Sequence, residues 1–315
     1  MSEVLVGDIG GTNARFAIVD VGAKPWRIND AIAIPDRGSF AETVEEGLSR
    51  IGRRPDAASI AVAGPVTRGE VSFTNRNWKA SEADLKQLGF AHALLINDFA
   101  ALAFAARDLA ERELKTIGPV LEGLADEPIS IVGAGTGFGV ACLARYRGRS
   151  APISSEGGHI GFAPSNEREI EVLRVLMKRF GHVSVERVLS GPGIENLYQA
   201  LATIDGKPHR PLDAAAIQAA AGAADALAHE AVSLFCSIFG TVAGDFALAH
   251  GARGGVFIAG GVAQKLVKEL GTGAFRAAFE AKGRLSYYVK AIPTRLILSE
   301  DAAFLGAARA SLEFR

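Results

Sequence analysis

The sequence predicts an α/β fold of two domains, and three observations carry that expectation. Strand-like runs rich in Val and Ile alternate with segments of helical spacing along most of the chain. An apolar strand, a glycine turn and a second apolar strand occur at the start and again near residue 130, so the chain reads as two halves that each open on a glycine hairpin, with a cleft between them. The 315 residues, 49% of them apolar, suffice for two domain cores.

Residues 4–9 and 14–19 are short Val- and Ile-rich runs separated by Gly10, Gly11, Thr12 and Asn13, a pattern for two antiparallel strands joined by a tight turn. "AIAIP" reads as a third strand. "ASIAVAGPV" and "HALLIND" are strand-like runs ended by Gly-Pro and Asn-Asp, while "SFAETVEEGLSRI" and "SEADLKQLG" have helical spacing with Ser at the N-caps. The sheet is expected to be largely parallel after its opening hairpin. "FAALAFAARDLAERE", residues 99–113, reads as a helix, and the Gly, Pro and acidic stretch after it puts a domain boundary near residue 110. The expected domains are therefore 1–109 together with a C-terminal helix at 300–315, and 110–299. "ISIVGAGTGFGVACLARY", residues 129–146, repeats the opening hairpin. "GGVFIAGGVAQKLVKEL" runs a strand into Gly260 and Gly261 and then a helix, and "EDAAFLGAARASLEF" reads as an amphipathic helix.

Composition excludes several function classes. With 34 Lys and Arg against 35 Asp and Glu, the formal charge of −1 offers no extended positive field for nucleic acid or an anionic membrane surface. The two cysteines, Cys142 and Cys236, form neither a disulfide framework nor a thiolate zinc pattern, which fits a reducing cytoplasm. The N-terminus enters a strand pattern without the basic region and cleavage site of a secretory leader, so export is not expected. The apolar stretch 231–244 lies between Glu230 and Asp245 and is shorter than the roughly 20 residues of a membrane span, so it reads as a buried core helix.

Glycine turns let backbone N–H groups approach phosphate oxygens closely. The P-loop spacing and its lysine are absent, and both glycine turns are followed by strands where the dinucleotide fingerprint requires a helix. Each candidate segment also has a purely structural reading. Asp8 with its glycines is good turn chemistry. Asp98 in "INDFAAL" suits a helix N-cap. Glu186 suits the first turn of a helix after Ser184. Asn75 is equally a turn residue, and Gly260 and Gly261 equally serve strand-to-helix packing. Glu156 and His159, three apart, have no second His or Cys at a useful distance for a metal.

Seven segments, taken in order, tighten the reading. "VGDIGGTNAR" (6–15), "TNRNW" (74–78), "LLINDFAAL" (94–102), "GAGTGFGVA" (133–141), "EGGHIGFAP" (156–164), "VERVLSGPGIENLY" (185–198) and "GGVFIAGGVA" (254–263) resemble the ordered motifs of the bacterial ATP-dependent glucokinases, within the hexokinase and actin-like ATPase superfamily, and they extend over almost the whole chain. The resemblance implies the two-domain actin-like ATPase (ribonuclease H-like) fold and ATP-dependent phosphorylation of glucose at its 6-hydroxyl, the entry step of glycolysis. It implies that Gly7, Asp8, Ile9, Gly10, Gly11 and Thr12 meet the triphosphate, with Asp8 turned towards Mg²⁺, and that Gly135, Thr136, Gly137, Gly260 and Gly261 complete the ATP site. Asp98 would be the general base. Asn97, Asp98, Gly135, Glu156, His159, Glu186 and Asn75 would hold the sugar. Many members of the superfamily carry a second acidic residue in the second glycine loop, and "GAGTG" has none. Family members are commonly homodimers. A repressor-and-kinase-type sugar kinase acting on another hexose is the rival enzyme, but the region "FAPSNEREIEVL" lacks that family's zinc-binding cysteines. A sugar sensor or a polymerising actin-like ATPase shares the fold without the chemistry.

Overall fold

The computed structural model describes residues 3–10, 14–22, 24–35, 38–73, 78–147, 149–208, 211–223 and 225–314. The chain divides into two compact units: Met1–Ala110 with Pro152–Ser154 and Ser299–Arg315, and Glu111–Ala151 with Ser155–Leu298.

The first unit contains β1 (Glu3–Ile9), β2 (Ala14–Asp20), β3 (Arg27–Ile34), α1 (Phe40–Ile51), β4 (Ala57–Val62), β5 (Glu70–Ser72), β6 (Lys79–Ser81), α2 (Glu82–Gln87), β7 (His92–Asn97) and α3 (Asp98–Ala105), and it takes in the C-terminal helix Ala302–Glu313. Its five-stranded sheet has the order β3-β2-β1-β4-β7. The sheet is evenly mixed where a largely parallel one was expected: β3-β2 and β2-β1 are antiparallel, β1-β4 and β4-β7 parallel. The opening meander supplies one more antiparallel strand than a lone hairpin would. One face is sealed by α1, whose Val44 and Leu48 join Leu5, Phe16, Ile18 and Ile60 in a core. Ser39 caps α1 by accepting from the Glu42 amide, and Gly52 ends it at φ 71°.

Two helices of this unit depart from the sequence expectation. α3 stops at Ala105 instead of running to residue 113. Asp108, just beyond, is drawn into ion pairs with Lys24 and Arg309, and those tertiary contacts override helical spacing. The C-terminal helix is buried around most of its circumference rather than along one stripe, with Ala302, Ala303, Phe304, Gly306, Ala307, Ala308 and Ala310 all inaccessible. Its alanines let it lie between α3 and strands β1 and β4.

The second unit holds β8 (Leu114–Thr116), β9 (Ile129–Ala134), β10 (Phe138–Tyr146), β11 (Arg149–Ser155, apart from Pro152–Ser154), α4 (Glu167–Arg179), α5 (Gly191–Ile204), α6 (Ala214–Gly222), α7 (Ala226–His250), β12 (Gly255–Ala259), α8 (Gly261–Lys265), α9 (Val267–Leu270), α10 (Ala274–Glu280), α11 (Ser286–Lys290) and β13 (Thr294–Ile297). Its sheet runs β11-β10-β9-β12-β13-β8, with β9, β12 and β13 parallel and the β9-β10 pair an antiparallel hairpin. The apolar stretch 231–244 lies inside α7. By length and composition α7 could cross a membrane, but here it packs within the core. Phe239 meets Phe138 and Phe275 edge-on, with ring centroids 5.5 and 5.6 Å apart. The helix expected after Gly261 is broken at Leu266 into α8 and α9. Each unit is thus a helix-covered mixed sheet that contains a glycine hairpin, the actin-like ATPase fold.

Candidate active site

In the first unit the hairpin β1-β2 is in register from Glu3↔Asp20 to Ile9↔Ala14. Gly11, Thr12 and Asn75 lie outside the described residues. Gly7 sits in mid-strand against Ile60 and Phe16, and the Ile9 side chain is wholly buried. The Ile9 side chain is turned into the core, so any contact that Gly7 or Ile9 makes with a ligand would be through the backbone. Asp8 is different. It is partly buried, and burial pushes its carboxyl pKa up while the nearby Arg15 charge opposes that shift.

At the end of β7, the Asn97 side chain accepts from the Ala100 amide at 3.1 Å and so caps α3. Asp98, expected as the cap, is instead the first helical residue. Asn97 Nδ2 donates to the Gly64 carbonyl at 3.2 Å and to Asp98 Oδ1 at 3.0 Å, and the Phe99 amide donates to the same Oδ1 at 2.9 Å. Two N–H donors therefore fix the Asp98 carboxylate at the carboxyl end of a parallel strand, where open α/β sheets bind ligands. The polar groups of Asn97 bond within the protein, one of them to the Asp98 carboxylate.

In the second unit the β9-β10 turn gathers the other candidates. The Gly135 amide donates to the Gly137 carbonyl at 2.9 Å, and the Gly135 carbonyl accepts from the Gly191 amide at 2.8 Å. Glu186, carried on a single turn at Val185–Arg187, accepts from the Phe138 amide at 2.8 Å, directly after the glycines. Ser190 caps α5 and donates back to the Glu186 carbonyl at 2.8 Å. The loop bearing Glu156 and His159 lies on the same strand end: a Cβ at Gly158 would stand 2.0 Å from the Phe138 carbonyl oxygen, so only glycine fits. Glu156 and His159 project outwards, both well exposed, with His159 Nε2 4.0 Å from Glu156 Oε2. Gly260, at φ 95°, abuts the Ala134 carbonyl so closely that a Cβ would meet it at 2.2 Å, while Gly261 begins α8 with open space where its Cβ would be. Gly135, Thr136, Gly137, Glu156, His159, Glu186, Gly260 and Gly261 are thus all tied to one hairpin.

Among the described residues no group of three or more His, Cys, Asp or Glu side chains could hold a metal by itself. What the sequence reading missed is the bond from Glu186 to the glycine hairpin. The signal could only have been tertiary, because 48 residues separate Glu186 from Phe138.

Comparison with known proteins follows the same lines. A family model described as glucokinase matches residues 5–313. A glucokinase of Caulobacter sp. (strain K31) is 50% identical over 308 residues, covering 96% of this chain and 93% of that protein. A glucokinase of Nitrobacter hamburgensis is 40% identical over 313 residues, covering 98% and 97%. The crystal structure of a glucokinase from an Antarctic psychrotroph superposes with a TM-score of 0.91 at 38% identity, covering 99% of both chains.

Proposed function

The chain belongs to the glucokinase family, whose reaction is the ATP-dependent phosphorylation of glucose, and we propose that Asp98 is the base that takes the proton from the 6-hydroxyl as it attacks the γ-phosphoryl group. The observation that carries this reading is the hand-over of the capping role to Asn97. With the helix end capped by its neighbour, the Asp98 carboxylate is oriented by two N–H donors at the carboxyl end of β7.

The remaining residues divide by unit. Glu156, His159 and Glu186 offer the mixed donors and acceptors that vicinal hydroxyls require, and their exposed or half-exposed tips support a sugar-binding role. The backbone around Gly135 to Gly137, and the end of β1 at Gly10, offer amides to phosphate oxygens. Gly260 and Gly261 suit the adenosine end of ATP.

A divalent cation fits Asp8: burial leaves this carboxylate in want of positive charge, and oxygen is the ligand Mg²⁺ prefers. A single protein carboxylate suffices because triphosphate oxygens and water fill the other positions. The bound ion would neutralise charge developing on the transferred phosphate. A homodimeric, cytoplasmic enzyme belongs to the same reading, and the two buried free cysteines are compatible with it.

Replacing Asp98 by Asn tests the assignment. Glucose affinity by calorimetry should stay within a few-fold while kcat in a coupled assay falls by roughly 10² or more. Near-normal turnover would remove Asp98 as the base.

A further inference from the structure

Asp8 and Arg15 are direct cross-strand partners of the β1-β2 hairpin and therefore point to the same face. Such pairs stand about 5 Å apart at Cβ, well within the reach of an arginine fork. Yet among the described residues no ion pair joins them. The Arg15 guanidinium, whose charge still acts on Asp8, makes its bonds at the start of the C-terminal helix. Its Nη1 donates to the Glu300 carbonyl at 2.8 Å, its Nη2 meets Asp301 Oδ1 at 2.5 Å, and its carbon centre lies 4.9 Å from the Phe304 ring centroid.

Asp301 itself departs from local rule in making this contact. It occupies the N-cap position of the helix, where aspartate normally accepts from a backbone amide, but its side chain makes no capping bond. Its carboxylate is committed to Arg15.

We propose that Asp301 is a positioning residue for the nucleotide end of the site: by holding Arg15 on the C-terminal helix it prevents an Asp8–Arg15 ion pair and leaves the Asp8 carboxylate for the Mg²⁺-triphosphate. The inference rests on the assignment of Asp8 to the metal side of the reaction. It makes the last helix of the chain part of nucleotide recognition without touching nucleotide.

The test is a cycle on the full-length enzyme, with Mg²⁺-AMPPNP binding measured by calorimetry. Asp301→Ala should weaken binding about fivefold or more, while glucose affinity is unchanged. Adding Arg15→Met should abolish that sensitivity: the double variant should bind within about twofold of Arg15→Met alone. Raising Mg²⁺ should shrink the Asp301→Ala defect, because the cation displaces the competing guanidinium. Asp301→Glu, which retains a carboxylate for Arg15, should stay near wild type. Asp301→Asn, with the same shape, serves the same comparison if the alanine variant does not fold. Unchanged affinity in Asp301→Ala overturns the proposal, and so does an equal loss with and without Arg15, which would mean only a damaged helix. The Asp8 assignment fails separately if Asp8→Asn binds Mg²⁺-AMPPNP as tightly as wild type.

Discussion

The two glycine hairpins are built on one plan and obtain their carboxylate in different ways. In the first unit the acid is local: Asp8 stands in the strand itself, two residues before Gly10. In the second the strand β9 is wholly apolar or small at its end, and the acid comes from elsewhere in the chain, Glu186 reaching the amide of Phe138. The environments differ accordingly. Asp8 is held in a setting that favours its neutral form, whereas Glu186 is anchored by a hydrogen bond from the hairpin and by the Ser190 cap behind it. A strained charge suits a group that waits for a cation. An anchored one suits a group that must keep its place.

That contrast can be broken at three points. The largest expected effect is at Asp8. Asp8→Asn should lower kcat/KM for Mg²⁺-ATP by roughly 10²-fold, the scale seen when one stabiliser of developing charge is removed. The ligand-free protein should nevertheless be no less stable at neutral pH. Because burial raises the folded-state pKa, the stability that Asp8 contributes is present below the ordinary carboxylate pKa of about 4 and lost as pH rises through the raised value. The difference in Tm, variant minus wild type, should therefore become more positive from pH 4 to pH 7. A falling difference would contradict the assigned environment.

Glu186 should behave in the opposite sense. Glu186→Ala leaves the Phe138 amide without its acceptor and should destabilise the protein by about 1–3 kcal/mol, read from denaturant unfolding. Glu186→Gln keeps an acceptor oxygen and should restore most of that stability while leaving KM for glucose raised. Equal KM values for Gln and wild type would confine Glu186 to a structural role. The smallest effect is expected at Gly135, where an added Cβ meets nothing within 4 Å. Gly135→Ala should change stability by no more than about 0.5 kcal/mol, so that any loss of Mg²⁺-AMPPNP affinity reports a Cβ standing in the path of the phosphates.

The same contrast explains what could be read from the chain. Hairpins, cores and the strand ends at Asn97 and Gly260 were legible because Val- and Ile-rich runs, glycine pairs and Ser caps are local signals. The ordered motifs made the candidate residues legible as a set. Tertiary effects were not legible. α3 ends early where Asp108 is claimed by Lys24 and Arg309, and the C-terminal helix hides most of its circumference because alanine permits it. The exchange of roles between Asn97 and Asp98 was hidden for a subtler reason: both residues cap helices well, and only the hydrogen bonds decide which one does.

The C-terminal helix has one more consequence. It completes the first unit, whose other strands and helices belong to residues before 111, so during synthesis those strands emerge long before the segment that covers them. The first unit must wait until residues 302–313 have been made, with the second unit synthesised in the interval. A nascent chain arrested before residue 302 would therefore display a folded second unit beside an unfinished first one.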